Sequence, residues 1–284
     1  MTDKYAEPLK CADRYAVVGN PIAHSKSPII HEAFAKQTGQ DICYERILAP
    51  LDGFEATVRE LIRQGYKGVN VTVPFKFEAF KLADAHAQRS LDAGAANTLT
   101  FTEHGIHADN TDGAGLVRDI EQNLQLPLAG KRVLLLGAGG AAEGVLHPIL
   151  ERQPSLLVVA NRTLDKALGM VKKVEMQTGH SVATLSACEF EGLQGQQFDV
   201  VINATSAGLT DTALLIPDTI FAKGCLAYDM MYGRETPFMQ QARANGAVVA
   251  DGLGMLVEQA AEAFYIWRGV RPDTKPVMEM VRAL

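Results

Sequence analysis

One glycine turn and three polar clusters hold the residues of this 284-residue chain whose types and spacing could do chemistry. The turn reads Val133-Leu134-Leu135-Leu136-Gly137-Ala138-Gly139-Gly140-Ala141-Ala142. The apolar run predicts a strand and Gly137 a tight turn. Gly139 allows backbone to approach a pyrophosphate, and Ala142 lets the following helix pack close to the strand with its N-terminus aimed at the phosphates. A second apolar run, 156–160, ends at Asn161-Arg162-Thr163. An NAD site carries a carboxylate at that point for the ribose 2′-OH. Amide, guanidinium and hydroxyl groups suit a phosphate dianion instead, and Lys166 adds a cation. The expected cofactor is therefore NADP, with Gly137, Ala138, Gly139, Gly140, Ala141, Asn161, Arg162, Thr163 and Lys166 around it. The plainer alternative is a glycine turn in an ordinary α/β protein.

The first polar cluster is Gly19 to Pro28, with hydroxyls at Ser25 and Ser27 just before a helix that has Pro28 in its first turn. Such hydroxyls cap the helix or hold a small polar ligand. The second, Asn70-Val71-Thr72-Val73-Pro74-Phe75-Lys76, ends a strand with an ammonium that partial desolvation would suit to proton transfer; a solvated charge is the bland reading. The third, Asp109-Asn110-Thr111-Asp112-Gly113, reads as a helix N-cap. Two acids there raise the question of a metal, but no His or Cys stands at ligand spacing and no EF-hand pattern follows, so no metal is expected.

These clusters need elements to position them, and strand and helix patterns alternate along the whole chain, which predicts α/β layers with largely parallel sheets. Before the glycine turn, strands are expected near 14–19, 42–48, 67–73 and 96–101, and helices near 28–38, 53–64, 75–84 and 88–93. A hairpin turn at Glu103-His104-Gly105 precedes a helix over 111–124. Beyond it, strands are expected near 133–136, 156–160, 182–185, 198–202, 225–228 and 247–249. A helix over 252–267 follows, with Leu256, Ala260, Ala263 and Trp267 as its apolar stripe and Glu258, Glu262 and Tyr265 opposite. Gln259 falls on the apolar flank, either capping nearby backbone or meeting a ligand.

The totals set further limits. A net charge of −6 argues against a nucleic acid or an anionic membrane as partner, since either favours a basic face. Cys11, Cys43, Cys188 and Cys225 form no C-x-x-C pair, so reduced thiols in a cytoplasmic protein are expected. The N-terminal residues hold no apolar signal-peptide segment.

Taken together, the chain closely resembles the shikimate dehydrogenase family. The resemblance rests on Ser25-Lys26-Ser27, Asn70 to Lys76, Ala96-Asn97-Thr98, Asp109 to Gly113, Gly137 to Ala141, Asn161-Arg162-Thr163, Asn203-Ala204-Thr205-Ser206, Tyr228-Asp229-Met230 and Asp251 to Gln259. It implies an N-terminal α/β substrate domain (1–111), a Rossmann-type NADP-binding domain (112–250), and C-terminal helices (251–284) returning to the substrate domain. It also implies NADPH-dependent reduction of 3-dehydroshikimate to shikimate by a monomer or homodimer. By the same resemblance Lys76 and Asp112 are the catalytic pair. Ser25, Ser27, Thr72, Asn97, Tyr228 and Gln259 meet the substrate, Asn70 shapes the same wall, and Leu226, Met230 and Gly252 lie near the nicotinamide. One departure is Glu143, where many relatives are basic; it is expected to face solvent. Two other readings stay open: an NAD-using quinate/shikimate dehydrogenase, and a non-catalytic sensor on the same scaffold.

Overall fold

A computed structural model describes residues 13–207 and 212–284. The chain begins with β1 (Asp13–Gly19), α1 (Ser27–Thr38), β2 (Ile42–Leu48), α2 (Phe54–Arg63) and β3 (Tyr66–Val71). It continues through α3 (Lys76–Leu82), β4 (Ala85–His86), α4 (Gln88–Ala93), β5 (Thr98–Thr102) and β6 (Gly105–Asp109). These six strands form one sheet in the order β2-β1-β3-β5-β6-β4. It is mixed rather than parallel: β1 pairs parallel with β2 and β3, while β5 runs antiparallel to both β3 and β6. The reason is the short turn at Glu103-His104, since a tight hairpin can join only antiparallel strands. In β3, Val69 and Val71 enter the core with Phe54 and Phe75, and Asn70 between them faces the other side of the sheet.

A bridging helix, α5 (Asp112–Arg118), passes directly into a π-helical turn at Asp119–Asn123, so the expected single helix over 111–124 is α-helical only in its first half. The second sheet follows, from β7 (Arg132–Leu136), α6 (Gly140–Leu150), β8 (Leu156–Ala160), α7 (Leu164–Thr178), β9 (Leu185–Cys188), β10 (Phe198–Asn203), β11 (Phe221–Asp229), α8 (Pro237–Ala244) and β12 (Val248–Ala250). All its pairings are parallel, in the order β12-β11-β10-β7-β8-β9. The order reverses between β7 and β10, and the carboxyl ends of strands at such a switch point form the ligand crevice of an open α/β sheet. Strand β7 is buried on both faces: Val133 and Leu135 feed one core, Leu134 and Leu136 the other. β9 begins where the expected strand 182–185 ends.

The chain then returns to the first sheet through α9 (Leu253–Arg268) and α10 (Lys275–Arg282). Val257, Ala260, Ala261 and Phe264 of α9 pack on Ile30 and Phe34 of α1. Helices α5 and α9 cross so closely that a Cβ on Gly115 would lie 2.8 Å from the Met255 carbonyl oxygen, so only glycine fits there. Of the three residues expected opposite the apolar stripe of α9, Tyr265 is exposed but both glutamates are enclosed by this crossing. Glu258 and Glu262 are 2% and 8% exposed, because that side faces α4 and α5 rather than water. Glu262 is hydrogen-bonded by Arg89 at 2.9 Å, Arg271 at 2.7 Å and Arg118 at 3.3 Å. Burial pushes its carboxyl pKa up, but the hydrogen bonds from Arg89 and Arg271 outweigh that and hold it at about 2.

Among the cysteines, Cys188 and Cys225 are free thiols, the latter pushed up to about 12 by burial, whereas Cys43 is disulfide-bonded and departs from the expected reduced state. Cys11 lies outside the described residues.

Glu262→Gln takes a charged acceptor from three guanidinium groups, and a loss of about 1.5–3 kcal/mol at neutral pH is expected. The folded carboxyl titrates at about 2 against an ordinary 4.5, so its contribution is complete above 4.5 and disappears as pH falls towards 2. Melting temperatures followed from neutral into acid should show a constant gap between wild type and variant that closes at the acid end.

Candidate active site

Lys76 opens α3 just beyond the end of β3, and Asp112 opens α5 just beyond β6. The two meet with Nζ 2.5 Å from Oδ2, their side chains 17% and 7% exposed. Asn97 completes the carboxylate's shell: its Nδ2 donates to Asp112 Oδ1 at 2.8 Å, and its Oδ1 accepts from the Thr111 amide at 2.8 Å. The Asp112 amide donates to Asn110 Oδ1 at 3.1 Å. Asp109, the other acid of that cluster, is engaged elsewhere, accepting from Arg89 at 3.0 and 2.7 Å. No group of three or more His, Cys, Asp or Glu side chains suited to a metal occurs among the described residues.

A cleft of about 390 Å³ lies between the sheets. From the first sheet and its loops it is lined by Ser25, Ser27, Asn70, Thr72, Lys76 and Asn97. Ser25 Oγ accepts from the Ser27 amide at 3.3 Å and lies 3.2 Å from Ser27 Oγ, so it satisfies the first amide of α1 while both hydroxyls stay at the cleft. From α5 and α9 come Asp112 and Gln259. Gln259 Nε2 donates to the Leu256 carbonyl at 2.8 Å, and its Oε1 lies 3.4 Å from Asn97 Nδ2. Both readings of this glutamine thus describe one geometry, an internal cap whose other end faces the cleft. The second sheet supplies Gly140, Ala141, Met230 and Gly252.

The glycine turn has the shape a dinucleotide needs. Gly137 has φ +108°, where a side chain would be strained and a Cβ would sit 3.1 Å from the Ala204 carbonyl oxygen. A Cβ added to Gly139 would meet nothing within 4 Å, so the backbone before α6 is open to a close-lying phosphate. Ala138 lies between them, and Ala142 is fully buried behind the turn. At the carboxyl end of β8, Asn161 Nδ2 donates to the Thr163 carbonyl at 2.9 Å, and Arg162 and Lys166 are exposed. A bare turn at a helix N-terminus, beside a strand end carrying two exposed cations, fits NADP. Glu143 does not face solvent as expected. Lys173 on α7 pairs with it at 3.1 Å, turning it from the phosphate side and leaving its side chain 17% exposed.

Two expected site residues lie elsewhere. Tyr228 is fully buried; its hydroxyl donates to Asp119 Oδ2 at 2.6 Å and accepts from the Met255 amide at 3.3 Å. Leu226, two residues earlier on β11, shares its face and joins the same core. The cause is strand alternation: this face of β11 looks into the sheet–helix interior, and the chain reaches the cleft only past Asp229, where the strand ends. Buried Asp229 holds that turn, accepting from the Met231 amide at 2.9 Å, Thr236 Oγ1 at 2.5 Å and Asn203 Nδ2 at 3.2 Å. The tyrosine presented to the cleft is Tyr232, whose hydroxyl burial pushes up in pKa. Sequence reading missed it; Tyr232 lies three residues past the end of β11. Phe77, 45% exposed, was missed too; its ring lies 3.6 Å from where a Cβ on Gly140 would stand.

Residues 17–99 match the shikimate dehydrogenase substrate binding domain, 119–212 the shikimate / quinate 5-dehydrogenase family, and 252–282 the shikimate 5'-dehydrogenase C-terminal domain. A shikimate dehydrogenase (NADP(+)) of Methylobacillus flagellatus is 64% identical over 95% of this chain and 99% of its own. Among solved structures, an Ael1 enzyme from Pseudomonas putida superposes with TM-score 0.88 at 50% identity, over 95% of this chain and 98% of that one. Shikimate 5-dehydrogenase from Thermus thermophilus, solved with NADP(H) and shikimate, gives TM-score 0.83 at 31% identity over 95% and 99% of the two chains. Matched over 95% of its length in sequence and in fold, the chain belongs to the shikimate dehydrogenase family.

Proposed function

We propose that this chain is an NADP-dependent shikimate dehydrogenase, reversibly reducing 3-dehydroshikimate to shikimate. The observation that carries the reading is the Lys76–Asp112 pair, 2.5 Å apart and set in the cleft beside the glycine turn. When bound, NADPH supplies the hydride for the ring ketone. Reduction builds negative charge on the ketone oxygen, and the Lys76 ammonium stabilises that charge and gives the proton. Asp112 is not the donor, because Asn97 Nδ2 and Lys76 Nζ direct their protons at its two oxygens. Its work is to hold Lys76 in place and to accept from a substrate hydroxyl. Ser25 and Ser27 bind the substrate carboxylate, and Thr72, Asn97, Tyr232 and Gln259 the rest of the ring. Gly137 to Ala141 hold the pyrophosphate, and Asn161, Arg162, Thr163 and Lys166 the 2′-phosphate. Met230 and Gly252 border the nicotinamide.

The division of labour follows the sheets: substrate on residues 1–111, cofactor on 112–250, and the returning helices 251–284 closing the substrate side. No helix among the described residues is long and apolar enough to cross a membrane. We place the protein in the cytoplasm as a monomer or homodimer. The guanidinium at Arg162 favours NADP over the NAD-using quinate/shikimate alternative. An intact Lys76–Asp112 pair favours an enzyme over a sensor.

Purified protein with shikimate and NADP should produce NADPH, read by its absorbance; no turnover, or faster turnover with NAD, overturns the proposal. Lys76→Ala should lower kcat by about 10²-fold with little change in KM. Arg162→Ala should raise KM for NADP by roughly tenfold and leave that for NAD unchanged, since only NADP carries the phosphate. Tyr232→Phe should raise the shikimate KM, while Tyr228→Phe should lower the melting temperature by removing one of the two side-chain donors to buried Asp119.

A further inference from the structure

Two hydroxyls that do not themselves line the cleft complete the surroundings of the catalytic pair. Tyr44 on β2 donates to Asn70 Oδ1 at 2.7 Å, and Asn70 Nδ2 donates to Thr98 Oγ1 at 3.0 Å. Thr98 Oγ1 donates to Asn97 Oδ1 at 2.9 Å, and Asn97 Nδ2 donates to Asp112 Oδ1 at 2.8 Å. The side chains from Asn70 to Asp112 are buried, Thr98 completely.

The direction of every link follows from the ends. A carboxylate that accepts a hydrogen bond from the Lys76 ammonium can only accept, so Asn97 must turn its NH₂ to Asp112 and its oxygen away. The Thr111 amide, a donor only, meets that oxygen at 2.8 Å and agrees. Thr98 must therefore spend its single proton on Asn97, and it can only accept from Asn70. The Asn97 carbonyl, an acceptor only, lies 3.2 Å from Asn70 Nδ2 and fixes that amide the same way round. Asn70 is left with its oxygen towards Tyr44, whose hydroxyl must donate. The Tyr44 ring cannot turn aside easily, since it stacks flat on His31 with centroids 4.1 Å apart and planes 5° apart. His31 is fully buried, and burial lowers its pKa to about 3, so this stack carries no charge.

We propose that Thr98 and Tyr44 are positioning residues for the Lys76–Asp112 pair: their one-way hydrogen-bond chain holds Asn97 in the single orientation that aims Asp112 at Lys76. The inference rests on the functional reading above. Without Thr98 Oγ1, Asn97 and Asn70 each lose a partner that fixes which way their amides face, and Asp112 shifts relative to the ammonium and the substrate hydroxyl. Neither residue lines the cleft or touches the glycine turn, so the cofactor contacts stay in place.

The test compares wild type, Thr98→Val, Thr98→Ser and Tyr44→Phe, each counted by NADPH-binding sites so that misfolded protein does not contribute. Thr98→Val should lower kcat for shikimate oxidation about tenfold with KM for NADP unchanged, the size expected from one hydrogen bond to an oriented group. Thr98→Ser, which keeps the hydroxyl, should restore it. Tyr44→Phe, at the far end, should cost roughly threefold, again in kcat. A Thr98→Val enzyme with wild-type kcat per site, or a loss that Thr98→Ser fails to repair, overturns the positioning role and leaves the functional reading standing. A wild-type protein without turnover overturns both.

Discussion

A lysine and an aspartate taken largely out of water must be paired and fully hydrogen-bonded, and most of this structure follows from meeting that demand for Lys76 and Asp112. Removing two charges from solvent costs several kcal/mol unless geometry and neighbouring donors offset it. Here the compensation comes from distant parts of the chain. Lys76 is delivered by the end of β3, Asp112 by the start of α5, and Asn97 by the approach to β5. The pair is therefore correct only when the mixed sheet has closed in its final register, and its site cannot assemble from any one local segment.

The bridging helix carries that geometry to the nucleotide sheet. Asp112 sits at the head of α5, and the same helix packs on α9 with so little room that Gly115 is needed at the crossing. Because α9 is enclosed by α1, α4 and α5, carboxylates that an exposed helix would show to water must instead find cations. Glu262 finds them in Arg89, Arg118 and Arg271, from three separate segments. The same enclosure places Gln259, on the apolar flank of α9, at the cleft.

Beside Asp112, the charge that the reaction develops falls where a donor is already fixed. A preorganised ammonium needs no reorientation at the moment the ketone oxygen gains charge, which is the source of its catalytic value. Holding it depends on amides whose two ends look alike in shape but differ in chemistry, and acceptor-only and donor-only backbone groups settle which way each one faces.

Periodicity and turn chemistry made much of this legible in the sequence. The glycine turn, the strand before it, the helix after it and the strand leading to Arg162 are local patterns, and they occur where spacing predicts. So do the Ser25–Ser27 loop and the segment ending at Lys76, because each is built by residues adjacent in the chain. What the local pattern could not supply was which face of an element meets which neighbour. Tyr228 and Tyr232 differ only in whether the strand has ended; Glu258 and Glu262 look solvated until α9 is enclosed; Glu143 looks free until Lys173 arrives from α7. The sequence by itself determined the elements, the nucleotide-binding turn and the residue types available for catalysis, since those depend on neighbours a few positions away. Only the tertiary structure decided which side chains share the cleft and which way their hydrogen bonds run, because packing between segments as far as 255 residues apart, as in Asp13 with Arg268, assigns each polar group its partner.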